Sequence, residues 1–124
     1  MLTNETIGSM ISDVRVLMRD VTSELNPTPH YSDDTICTGL VEGFRRMWAV
    51  RPSTRYIDGV IVDQPIPANS QTTVAATSVK FEERFRRGVI YFAAGLCYET
   101  GTPDTVNIQL AQTLKKQADE VFMS

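Results

Sequence analysis

The hydrophobic residues of this chain keep a helical period on both sides of an interruption, and the interruption limits what the chain can fold into. Ile7, Met10, Ile11, Val14, Leu17, Met18 and Val21 recur at steps of three and four, as do Ile36, Cys37, Leu40, Val41, Phe44, Met47 and Trp48. That spacing lines one face of an α-helix. From Tyr56 to Ser78 the period is lost. Ile57, Val60, Ile61 and Val62, then Thr72, Thr73, Val74, Ala75, Ala76 and Thr77, are β-branched runs on either side of Gln64-Pro65-Ile66-Pro67-Ala68-Asn69-Ser70, which predicts extended chain. Helical spacing resumes after Lys80. The order predicts a mostly α fold, a small bundle of about four helices with an extended β-hairpin-like arm inserted between helices two and three.

Local signals set the expected boundaries. Thr3 or Asn4 can cap the first helix, and Asn26-Pro27-Thr28-Pro29 closes it, because proline lacks an N–H and biases its predecessor away from helix. Ser32 caps the second, with Asp33-Asp34 on the positive end of the helix dipole, and Arg51-Pro52 ends it. This helix is expected to be the central core element. The third runs from about Phe81 to Thr100 with Phe85, Val89, Phe92, Ala93 and Leu96 inward and Cys97 at the edge. Gly101 suits its C-terminal cap, and Thr102-Pro103-Asp104 suits the start of a fourth. Val106, Leu110, Leu114, Ala118 and Val121 line that last helix, which should fold back antiparallel on the third. The 124 residues read as one domain, with a helical core over 3–52 and 79–123 and an arm over 56–78. A chain of this size buries about two-thirds of its surface without staples.

Composition bears on function mainly by exclusion. Twelve Lys+Arg against 15 Asp+Glu leave a net charge of -3, which argues against a free-standing DNA binder. His30 is the single histidine, and Cys37 and Cys97 are too far apart in sequence for a zinc motif or disulfide framework. His30 reads as a loop or capping residue. Both thiols read as reduced, buried small hydrophobes. No glycine-rich phosphate loop occurs, and Asp33-Asp34 and Glu82-Glu83 read as helix-start signals. Catalytic residues, a metal and a cofactor are therefore not expected. Neither is a secretory leader or a membrane span, so an intracellular protein is predicted.

Two basic clusters flank the arm. Arg45, Arg46, Arg51 and Arg55 surround the end of helix two, and Lys80, Arg84, Arg86 and Arg87 the start of helix three. They read either as contacts to an acidic neighbouring subunit or DNA phosphates, or as solvated faces balanced by Glu42, Glu82 and Glu83. The arm, from Tyr56 onward, has too few strands for a stable sheet of its own and is expected to cross onto a partner.

One resemblance joins these features. His30-Tyr31-Ser32-Asp33-Asp34-Thr35-Ile36, then Gly43-Phe44-Arg45-Arg46-Met47-Trp48-Ala49-Val50-Arg51-Pro52, form an aromatic, Ser-Asp-opened helix that ends in Arg-Pro. With Phe85-Arg86-Arg87-Gly88-Val89-Ile90-Tyr91-Phe92-Ala93-Ala94 and the Ala111 to Phe122 helix, this order resembles the head-to-tail adaptor (connector, head completion) proteins of tailed bacteriophages over nearly the whole chain. The resemblance implies a non-enzymatic virion protein of the neck, assembled in the bacterial cytoplasm. It implies a dodecameric ring of identical subunits under the portal protein that presents a docking surface for a tail or nozzle protein. Genomic DNA would pass through the ring without sequence readout, with no membrane and no cofactor involved. The family often attaches to the portal through C-terminal segments, which here offers Phe122 and Met123 as anchors. The competing expectation is a small helical DNA-binding regulatory protein; a small enzyme built around His30 or the carboxylate pairs is the remote one.

Overall fold

The computed structural model describes residues 1–19, 30–62, 78–100 and 105–124, with 105 and 106 by backbone alone. Among these described residues are four helices: α1, Ile7–Met18; α2, Asp33–Val50; α3, Arg86–Thr100; and α4, Thr105–Met123. Four short strands accompany them: β1, Leu2–Thr6; β2, Tyr56–Ile57; β3, Val60–Ile61; and β4, Ser78–Glu82. The chain is thus mostly helical, with a small antiparallel hairpin between α2 and α3, as the sequence predicts.

The start of the chain departs from expectation. Thr3 and Asn4 are not caps but lie in β1, which pairs antiparallel with β4 from Leu2↔Glu82 to Thr6↔Ser78. The cap of α1 is Thr6, whose Oγ1 accepts from the Ser9 N–H at 3.2 Å. Alternation in β4 turns Phe81 inward against Phe44, ring centroids 5.2 Å apart and edge-to-face, so the ribbon lies on the bundle and secures its own pairing. Phe81 and Glu82 therefore belong to a strand, a 3₁₀ turn over Glu83–Phe85 follows, and α3 begins at Arg86 rather than Phe81. The expected arm is shortened at its far end, since Ser78 opens β4.

Helix α2 follows its signals. The Ser32 Oγ accepts from the Thr35 N–H at 3.2 Å, Asp33 and Asp34 occupy the first turn, and Arg51 ends the helix before a 3₁₀ turn over Pro52–Arg55. It shares the centre of the bundle with α3, since each of the two packs against all three other helices, α3 the more extensively. Helix α3 packs against α1, α2 and α4, which its small residues permit. A Cβ on Gly39 or Gly43 of α2 would stand 2.9 Å from the carbonyl oxygens of Ala93 and Val89, so these backbones meet with no room for a methyl. On the other side of α3, Gly95 faces Ala111 and Gly88 faces the ring of Phe122. Early α3 thus meets late α4, the expected antiparallel hairpin.

The core comprises Ile7, Met10, Ile11 and Val14 of α1, Ile36, Leu40, Phe44 and Met47 of α2, and Val89, Ile90, Ala93, Ala94 and Cys97 of α3, closed by Ala118, Val121 and Phe122. Leu17 and Leu110 are exposed, and Trp48, Phe92 and Leu96 are half-buried, contrary to their expected inward placement. For α3 the cause is rotation. Because it is contacted on several sides, its buried face centres on Ala93, Ala94 and Cys97 and leaves Phe92 and Leu96 at the flank. The 26–29 turn, the 101–104 connection and the Thr72 to Thr77 run lie outside the described residues.

Candidate interaction surface

The two basic clusters converge on the end of the bundle where α2 stops and α3 starts, but most of their charge is used within the chain. Arg46 makes a two-pronged ion pair with Asp119 of α4, Nε to Oδ1 and Nη2 to Oδ2, both 2.8 Å. The hydrogen bond to Asp119 holds the Arg46 pKa above its ordinary value, against the opposing effect of burial. Arg86 reaches back from α3 to Glu5 of β1 at 2.6 Å and also binds Asp13 of α1. Partial burial pulls the Arg86 pKa down, and the hydrogen bonds to the two carboxylates outweigh it, leaving the group more firmly protonated than a free guanidinium.

Arg51 serves α4. Its Nε and Nη2 donate to the carbonyl oxygens of Phe122 and Ser124, each at 2.7 Å, and occupy acceptors that a helix end leaves open. Arg45 pairs with Glu42 one turn back at 2.8 Å, and Lys80 with Asp58 at 2.7 Å. Arg84 lies 4.5 Å from the centroid of the Phe85 ring and 3.7 Å from Glu82. Three arginines of the clusters, Arg51, Arg55 and Arg87, show neither a hydrogen bond nor an ion pair to a side-chain carboxylate among the described residues. Arg55 stacks over Trp48 at 5.0 Å and donates to the Val62 carbonyl at 2.6 Å, and Arg87 lies over Tyr91 at 5.9 Å.

The expected anchor Phe122 is not on the surface. It is fully buried, packed edge-to-face with Phe85 and closed over Gly88, because Val121 and Phe122 turn the last turn of α4 into the core. Met123, one residue on, is 63% exposed. Tyr56 is exposed at 58%, and Val60 and Ile61 beside it at 64% and 59%. These three stand on the β2–β3 hairpin, whose turn residues Asp58 and Gly59 both have positive φ, 51° and 82°. Tyr56 pairs with Ile61 and Ile57 with Val60. An Asp-Gly pair between apolar residues is a strong signal for such a tight turn, and it marks a hairpin shorter than the one expected.

Other candidate sites resolve into structure. His30 packs edge-on against Tyr31 at 4.8 Å. Cys97 is buried and Cys37 half-buried, and neither forms a disulfide among the described residues. Burial pushes the Cys37 thiol pKa up, and the charges of Asp34 and Asp33 push the same way. Among the described residues no three His, Cys, Asp or Glu side chains converge as metal ligands, and no helix is long and apolar enough to cross a membrane. The acidic partners Glu5, Asp13 and Asp119 escape sequence reading, since their arginines lie more than seventy residues away in the chain. No protein family, curated protein or solved structure matches this chain.

Proposed function

We propose that this chain is a structural virion protein of the head-to-tail adaptor type, a subunit that assembles with identical copies into a ring beneath a portal protein and receives a tail or nozzle protein. The observation that carries the reading is the β2–β3 hairpin: a two-stranded ribbon with Tyr56, Val60 and Ile61 more than half exposed, set on the end of a firmly braced helical core. A ribbon of this size has little stability of its own. Solvent-facing apolar side chains on it gain most when a partner covers them. The position of the hairpin between α2 and α3 matches the arm that the sequence predicts, and the internally neutralised arginines suit a subunit that surrounds DNA without gripping it. In this reading the protein works by geometry, without catalysis or cofactor.

The test combines the purified chain with a portal ring and looks for a stacked complex by sedimentation and electron microscopy, with hydrogen exchange read over 56–62 before and after assembly. Stacking with new protection in the hairpin is the expected result. Equal protection in free and assembled chain would remove the interface role of the hairpin. Strongly salt-dependent binding of the isolated chain to duplex DNA, without portal binding, would favour the regulatory alternative.

A further inference from the structure

Beside the hairpin, at the C-terminal end of α2, lies an open cleft of about 400 Å³ lined by Arg45, Trp48, Ala49, Pro52 and Arg55. Its floor is apolar, from the half-buried indole, the exposed Ala49 and Pro52. Its rims are cationic. The Arg55 guanidinium is held by a ring face and a neutral carbonyl, so its position is fixed while its charge stays uncompensated among the described residues. A pre-organised guanidinium loses less freedom on meeting a carboxylate than a mobile one. Arg45 contributes a second, shared charge through its exposed pair with Glu42. From Arg55 the chain passes directly into β2, and among the described residues the two-stranded sheet has no third strand on either edge.

We propose that the cleft and the adjoining hairpin form a docking site for an extended acidic and apolar peptide segment of a protein partner. A carboxylate of the segment binds Arg55, assisted by Arg45. An apolar side chain fills the floor over Trp48, Ala49 and Pro52, and the backbone adds along the hairpin edge, where successive side chains meet Val60 on one face and Ile61 on the other. Charge complementarity selects this occupant. A single-stranded nucleic acid fits less well, because the guanidinium already covers a face of the indole on which a base would stack, and the exposed hairpin residues Tyr56, Val60 and Ile61 carry no cation for phosphate. The site is complete within one chain, so it goes beyond the ring reading and does not depend on it.

Trp48 is the only tryptophan in the sequence, and its emission reports on the cleft directly. The full chain is titrated with a short acetylated peptide alternating Asp with Leu and Phe, with its Lys-for-Asp counterpart, and with oligothymidylate. A saturable change in Trp48 emission is expected for the acidic peptide alone. It should weaken about tenfold in Arg55→Gln, the usual scale for one charge-assisted hydrogen bond. It should vanish in Ala49→Glu, which brings a carboxylate to the cleft from an exposed helix position. Circular dichroism checks each fold; if Arg55→Gln unfolds, Ala49→Glu decides. No saturation, equal binding of the Lys peptide, undiminished binding by Ala49→Glu, or tighter binding of oligothymidylate would each overturn the proposal. Peptide binding without portal stacking would sink the ring reading alone, and stacking without peptide binding would sink only this one.

Discussion

Replacing Gly39 with alanine sets two known effects against each other, and the contact between α2 and α3 decides the sign. In an exposed helix interior the substitution stabilises by about 0.8–1 kcal/mol, because glycine gives up more backbone freedom on folding. Here the new Cβ would lie 2.9 Å from the carbonyl oxygen of Ala93 and 3.1 Å from its Cα. Those distances are several tenths of an ångström inside ordinary contact, and the blocking atoms are backbone, which no rotamer change can move. Relief requires α2 and α3 to separate or tilt, and the same interface continues one turn on, at Gly43 against Val89. Overpacking of this kind typically costs about 1–3 kcal/mol. The net expectation is a loss of about 1 kcal/mol for Gly39→Ala and a larger loss for the Gly39→Ala, Gly43→Ala pair, read as a lower urea midpoint at unchanged slope. Ala93→Gly should not restore stability to Gly39→Ala, since it leaves the offending carbonyl in place. A Gly39→Ala protein more stable than the parent by the propensity gain would refute the close helix contact.

Truncating Phe122, fully buried against Phe85 and Gly88, should cost about 3–5 kcal/mol in denaturant unfolding, whereas Met123→Ala should stay within about 0.5 kcal/mol. Comparable small effects at both positions would return Phe122 to the surface role that the sequence suggested. For Cys37, burial and then Asp34 and Asp33 raise the thiol pKa, so less thiolate is present at any given pH. Its alkylation by iodoacetamide near neutral pH should therefore run slower than that of a free thiol and rise only at higher pH, while Asp34→Asn should shift the rate profile back toward lower pH. A profile matching free cysteine would contradict the placement of that thiol.

The legible parts of the fold are those set by local chemistry. Ser32 caps, Asp33 and Asp34 load the helix dipole, and Arg51-Pro52 ends α2, because each effect acts within one helical turn. The β1–β4 pairing was not legible, since it joins residues about eighty positions apart and neither five-residue strand announces its partner. Leu17 and Leu110 fit the helical period yet face solvent, because a period defines a face but not how much of it the neighbours cover. The central place of α3 depends on small residues that look neutral in sequence. Gly39 and Gly43, four residues apart on α2, were the available sign of a close crossing. At the candidate surface the position of the hairpin was readable, while the use of the nearby cations was not. Arg46 and Arg86 find carboxylates only once the helices have packed.

Those pairings change what the basic clusters contribute. Arg46 ties α2 to α4, Arg86 ties α3 to β1 and α1, Arg51 ties the end of α2 to the end of α4, and Arg15 ties α1 to the start of α2 through the Tyr31 carbonyl and Asp33. Each connects elements distant in sequence, so forming one restricts the arrangement of the others. Exposed ion pairs are worth little, and the partly buried, two-pronged Arg46–Asp119 pair offsets more of its desolvation through geometry. Arginines committed in this way fix the relative placement of the helices and contribute little to a long-range positive field. The binding capacity of this end of the bundle then falls to the groups left over: the Arg55 guanidinium on Trp48, Arg87 on Tyr91 and the apolar hairpin. A partner that recognises the surface must therefore do so at short range, by shape and by one or two carboxylates, rather than by the polyanion attraction that a count of arginines would suggest.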